Sequence, residues 1–423
     1  MLIINCSQVI TLTPSPQRGK QLGELNALSG AAVLIHGEKI AEIGSEESLL
    51  HRFPSEPRLD ARGNAVLPGF VDAHTHLVFA SDRAGEFESR LLGSTYQEIM
   101  AAGGGINATV RATRAASREE LLAQSVKRMA GMLANGTTTA EAKSGYGLEM
   151  EAELKQLEVG LSLDEKGPLS IVHTFLAAHA IPPEFAGDAD GYTRRIVDEM
   201  LLNLLKWWRE HAGGRSLPFV DVFCERGAFN LEQSREILLK AQELGFPLKA
   251  HVDEFENLGG CRLAVELGAA SVDHLVKTSM EELHALAQSK TVAVSLPCTP
   301  FGLLDPHYTN AKEIIAADGL LAIASDLNPG TAWCGSMQFT IALACRALRL
   351  SPSQALVAAT LNAAAAIDRA DQIGSLHPGK DADLVILSVP DYRQVAYRFG
   401  GNLVAQVIKK GSLVVDRSAE AAI

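Results

Sequence analysis

Between residues 65 and 330 one unit recurs: a short apolar run that finishes in polar residues, followed by an amphipathic segment. Eight runs follow this pattern: AVLPGFVDAHTH, GTTTAEAKSG, SIVHTFLAAHA, FVDVFCERG, PLKAHVDEF, AASVDHLV, TVAVSLPCT and LLAIASDLNPG. Runs that are apolar at nearly every position suit parallel strands buried on both faces, and alternation with helical segments predicts βα units. Eight such units predict a (β/α)8 barrel of TIM type. The intervening segments carry helix-start signals. Ser117-x-x-Glu120 and Ser279-x-x-Glu282 fit a capping box, and Asn230-x-x-Gln233 is a variant of it. Gly136, Gly245 and Gly268 stand where a helix gives way to the next strand, a position that favours left-handed backbone.

Outside this region the pattern changes to strands alone. LIINCSQVITL and AAVLIHGEKIAEIG lie near the start, DADLVIL and LVAQVIKKGSLVV near the end, all alternating or β-branched stretches separated by turns. They predict one small β-sandwich built from both chain termini. The expected organisation is therefore α/β: a barrel over 66–372, flanked by sandwich parts over 1–65 and 373–423. The polar segment TPSPQRGKQLGELNALSG, residues 13–30, has the composition of a surface loop.

Composition narrows the function. The 423 residues are 47% hydrophobic and 21% charged, which suits a globular chain with a large core. A net charge of −12 argues against nucleic acid or an anionic membrane surface as partner. An anionic substrate would need a local cation to receive it. The start, MLIINCSQVITL, has no basic leader and is expected to be a first strand, and no apolar run is long enough to span a membrane. The six cysteines are scattered without C-x-x-C spacing, which suggests reduced, buried structural thiols and a cytoplasmic protein.

In a barrel of this kind the polar residues at the strand ends are the ones that meet a substrate. His74 and His76 close the first run, and side chains two apart on a strand share a face. As an isolated pair they read more readily as two polar residues at a strand terminus. Ligand types recur elsewhere, however: His251 ends the fifth run and Asp326 the eighth. Three histidines and a carboxylate are costly in a core unless something pairs them, and one metal ion would satisfy all four. The N/O donor set suits zinc or iron. His179 and His274 end the third and sixth runs and are either hydrogen-bonded structural histidines or groups beside a metal-activated water. Glu254, three residues past His251, is either a substrate contact or a solvated loop carboxylate. The fourth run ends in glutamate with no lysine to bridge two ions, so one metal is expected; Lys143 is a possible exception, read rather as serving structure or substrate charge.

These residues sit in longer strings: PGFVDAHTHLVFASDRAGEFESR, GGGI near residue 105, KSGYG, TFLAAHAIPPEF, DVFCERGAF, HVDEF with NLGG, DHL, and SDLNPG followed by SMQ. Through them the chain resembles, nearly end to end, the imidazolonepropionase family of the amidohydrolase superfamily. The resemblance implies one divalent or trivalent ion, zinc or iron, held by His74, His76, His251 and Asp326. It implies substrate contacts from Arg83, Tyr96, Tyr146, His179 and Glu254, with Asn328, Gly330 and Thr331 lining the product side. It also implies catalytic roles for Glu254, His274 and Asp326, a small anionic substrate and a homodimer. The expected reaction is hydrolytic opening of 4-imidazolone-5-propanoate to N-formimidoyl-L-glutamate. Arg83 would bind the propanoate tail, or else form an ion pair with Asp82 or Glu86. The chain departs from the family pattern at ASDRAGEF and TAWCGSMQ, which bears most on Thr331. The competing readings are a superfamily deaminase of a purine-like heterocycle and a barrel without catalytic function.

Overall fold

The computed structural model describes residues 1–94, 98 and 103–418. Eight strands form one sheet: β1 (Phe70–Asp72), β2 (Thr137–Lys143), β3 (Ser170–Ala178), β4 (Phe219–Cys224), β5 (Lys249–Val252), β6 (Ser271–His274), β7 (Val292–Ser295) and β8 (Leu321–Ile323). Each pairs in parallel with the next. Every position of β2, β5, β6, β7 and β8 is buried, as strands covered by helices outside and side chains inside must be. The ring closes between β8 and β1. Asp326 N donates to His74 O at 3.0 Å and His76 N to Leu327 O at 2.9 Å. Just below, the Asp72 carboxylate accepts from Ser325 N (2.9 Å) and Ser325 Oγ (2.5 Å).

Every expected barrel strand is present, but the first run is divided. Ala65–Pro68 belongs to a sandwich sheet and only Phe70–Asp72 to the barrel. Gly69, the hinge between them, has no room for a β-carbon, which would lie 2.3 Å from Thr138 Oγ1. Ser117 and Asn230 form full capping boxes, whereas Ser279 forms half of one. Glu282 turns its carboxylate to Asn257 Nδ2 and Ser279 Oγ instead of back to the N-cap amide. Gly136, Gly245 and Gly268 all have positive φ, as expected.

The terminal strands form two sheets. One, of Lys39–Ser45, Ala31–His36, Leu2–Ile4 and Arg58–Asp60, comes wholly from the start of the chain. In the other, Ala65–Pro68 pairs with Gln8–Ile10 on one side and with Leu384–Leu387 on the other, joining both ends of the chain. Ile3, Val33, Ile35, Val66, Leu384, Ile386 and Ile408 share the core between the sheets.

Residues 13–30 are a largely exposed segment, as expected of a surface loop, but an anchored one. Gln17 and Leu22 are buried, and Arg18 donates to the carbonyls of Ala287, Ser289 and Asp318 near the N-terminal ends of β7 and β8. One expectation needs correction. Of the six cysteines, all free thiols, four are buried as expected, but Cys334 and Cys345 are only half-buried. Among the described residues no helix is long and apolar enough to cross a membrane.

Candidate active site

The C-terminal mouth of the barrel gathers the predicted ligand types into one buried cluster. His74, His76, His251, His274 and Asp326 are each at most 3% exposed. His74 Nε2 and His76 Nε2 lie 3.4 and 3.6 Å from Asp326 Oδ1. The His251 ring is 4.5 Å from that of His74 and 5.2 Å from that of His274. His179 stacks on His76 at 4.9 Å, and its Nδ1 donates to Gly145 O, 3.0 Å away. His74–His76–Asp326, His74–His251–His274 and His76–His179–His251 are overlapping sets whose donor atoms lie close enough together to hold an ion.

The donor chemistry fits a cation. His74 Nε2, His76 Nδ1, His251 Nε2 and His274 Nδ1 are buried without a hydrogen-bond partner among the described residues. Each such group costs about 1–3 kcal/mol unless something satisfies it. Burial holds His74, His76 and His274 well below the ordinary imidazole range, reinforced by Lys143 at His74 and by neighbouring rings at all three. Neutral imidazoles with free lone pairs are what a metal requires. Asp326 is raised to about 6 by burial, opposed by the Thr299 hydroxyl that donates to its Oδ2 at 2.5 Å.

Local backbone explains how neighbouring residues reach the same space. Asp273 and His274 are consecutive and would face opposite sides of a regular strand. The chain leaves the extended region at His274, whose φ is 80°, and both side chains touch His74. Asp326 likewise sits beyond the end of β8 with φ 53°. Left-handed backbone at non-glycine residues is costly, and at these two positions it turns the side chains into the mouth.

The other predicted site residues fall as follows. Glu254 Oε2 is 3.7 Å from His274 Nδ1, and burial beside Asp326 and Glu225 lifts its carboxyl well above the usual range. Tyr146 is buried, 5.5 Å from the His76 ring and 5.4 Å from that of His179. Arg83 pairs through Nε with Glu86 Oε2 at 2.8 Å, at 15% side-chain exposure, and its Nη1 lies against Gly330. Asn328 braces the loop after β8: its Oδ1 accepts from Gly330 N and Thr331 N, both at 2.8 Å, and its Nδ2 donates to Asp326 O and Thr331 Oγ1. Tyr96 lies outside the described residues.

Of a layer of charged residues beneath the cluster, only Lys143 was anticipated. Glu141, Lys143, Asp221, Lys249 and Asp273 are all buried. Asp273 Oδ2 is 2.7 Å from His74 Nδ1. Asp221 Oδ2 is 3.0 Å from His251 Nδ1, an ion-pair contact not aligned as a hydrogen bond. Lys249 Nζ donates to Glu141 Oε2 and Ala73 O, both at 2.9 Å. The signal for this layer was present in the sequence. Glu141 and Lys143, and Lys249 and His251, are two apart on their strands, the same spacing that pairs His74 with His76.

Comparison with known proteins agrees with this geometry. Residues 65–414 match the model of the amidohydrolase family. The chain is 50% identical over 413 residues to an imidazolonepropionase of Herpetosiphon aurantiacus, covering 98% of this chain and 96% of that one. It is 49% identical to an imidazolonepropionase of Chloroflexus aggregans, covering 98% of each. Among solved structures, a zinc-bound adenosine deaminase of Xanthomonas campestris matches with a TM-score of 0.73 at 19% identity, over 100% of this chain and 95% of that one. Guanine deaminase of E. coli matches with a TM-score of 0.70 at 19% identity, over 98% and 99%. At such identities the two deaminases share the fold, and their names say nothing of the substrate here.

Proposed function

The chain belongs to the imidazolonepropionase family of amidohydrolases, and from that premise we infer that it hydrolyses the cyclic amide of 4-imidazolone-5-propanoate to N-formimidoyl-L-glutamate, a step of histidine degradation. The observation that carries this reading is the pairing of a metal-type His/Asp cluster with an arginine at the same mouth. Water adds to the ring carbonyl, the C–N bond breaks, and one proton of the water ends on the departing nitrogen.

His74, His76, His251 and Asp326 would hold the ion, zinc or iron. When bound, such an ion lowers the pKa of water toward about 7 and polarises a carbonyl. The protein's own groups do the rest. Asp326, at the C-terminal mouth beside the histidines, and neutral His274 are the two candidates to take the proton of the attacking water. Burial holds the Glu254 carboxyl well above the usual carboxylate range, which suits it to hand a proton to the ring nitrogen as that nitrogen leaves. Arg83 has its Nε committed to Glu86, which leaves its Nη groups to bind the propanoate carboxylate. Tyr146 and His179 would wall the ring side of the pocket.

The test is an assay with freshly generated imidazolonepropionate, following loss of its ultraviolet absorption beside metal analysis of the same sample. We expect turnover without ammonia release. Stoichiometric ammonia from a purine or pterin, with imidazolonepropionate untouched, would instead establish a deaminase.

A further inference from the structure

Lys143, singled out in the sequence, has no part in the proposed reaction. Its ammonium is fully buried and lies 2.6 Å from Asp221 Oδ2, 3.0 Å from Glu141 Oε1 and 3.5 Å from Asp273 Oδ2. Asp221 is the carboxylate against His251 Nδ1, and Asp273 the one against His74 Nδ1. A single cation thus touches both groups that fix the inner nitrogens of two imidazoles, which arrive from β1 and β5. Lys249 also faces Asp273 Oδ2, at 3.8 Å, but its close partners are Glu141 and the Ala73 carbonyl, and it forms no ion pair with Asp221 among the described residues.

Carboxylates behind ligating histidines set ring orientation and donor strength, and losing them typically costs about 10–100-fold in metal affinity. A carboxylate can do so only if it is itself held. We propose that Lys143 is a positioning residue for the metal centre: by bridging Asp221 and Asp273 it locks the rings of His251 and His74 to each other, so that their outer nitrogens stand ready at one spacing. The proposal rests on the ligand assignment above.

A plainer role competes with it. Three buried carboxylates face two ammonium groups in this layer, so Lys143 could serve only to balance charge. The two roles separate in the double variant Lys143→Met/Glu141→Gln, which removes one charge of each sign and leaves both histidine-facing carboxylates in place. The measurement is metal content on purification and the rate of metal loss to a chelator, with circular dichroism as the check on folding.

We expect the double variant to fold and to lose its metal at least tenfold faster than the parent chain. Lys249→Met/Glu141→Gln, matched in charge, should lose it at close to the parent rate. Parent-like retention in the Lys143 double variant overturns the proposal and leaves charge balance alone. If that variant does not fold, the isosteric Asp221→Asn decides: it cuts the link from Lys143 to His251, and parent-like retention there overturns the proposal too. His251→Ala guards the premise. If it keeps a full complement of metal, the ligand assignment has failed and not the bridge.

Discussion

A β-carbon on Gly330 would lie 2.2 Å from Arg83 Nη1, so the absence of a side chain there is what lets the guanidinium reach across to the loop after β8. Gly330→Ala should therefore act like Arg83→Ala. Both should raise the Michaelis constant for imidazolonepropionate while changing turnover much less, since tail binding is much the same in ground and transition states. Steady-state kinetics checks this, and an unchanged constant in both variants would return Arg83 to a plain ion pair with Glu86. Asp326 differs because it is placed at the reacting centre. Asp326→Asn should lower turnover by at least about 10²-fold through the loss of a ligand or a base, and near-normal turnover would exclude both roles. At this scale the sequence shows donor types clearly, because histidine and aspartate at strand ends have few cheap explanations. It hides Asp221 and Asp273, which sit inside runs that otherwise read as apolar and whose partners come from other strands.

Strands were legible for the reason that makes the barrel stable: residues buried on both faces leave continuous apolar runs. Boundaries were less so. The first run crosses from sandwich to barrel at Gly69 without any change in hydrophobicity, and only the demand for close approach to Thr138 marks the turn. Element faces also carry groups whose chemistry concerns stability alone. His173 on β3 is buried against Trp208, and burial holds it down to about 4 from an ordinary 6.5. Between those values the unfolded chain binds the proton and the folded chain does not, so stability falls as pH drops from 6.5 toward 4. From pH 7.5 to about 5 this group should cost roughly 2 kcal/mol. Chemical denaturation at the two pH values should show the parent chain losing more than His173→Gln by about that amount; equal losses would mean that His173 titrates normally.

Across the whole molecule the two ends of the barrel are given different tasks. The C-terminal mouth gathers the His/Asp cluster and Arg83. At the N-terminal end Ala363, Ala364, Ala366 and Ile367 pack against Phe219, Val292 and Ala322, and the loop 13–30 is anchored beside them. Gln17 does the anchoring. Its backbone pairs reciprocally with the Asn362 amide, and Asn362 also donates to Leu321 O at the start of β8. Its own side chain accepts from Gly23 N and Glu24 N and donates to Thr13 Oγ1 and Glu24 O, so one buried amide folds the segment and docks it. Gln17→Ala removes these side-chain bonds from a part-buried turn and keeps the backbone pairing with Asn362, which should cost roughly 1–2 kcal/mol. Because Gln17 touches only the end of the barrel remote from His74 and Asp326, the loss should appear in denaturant unfolding and not in kcat/KM measured on the folded fraction. A matching fall in kcat/KM would mean that strain passes along β8 from one end of the barrel to the other, and that the segment tunes the site it never touches.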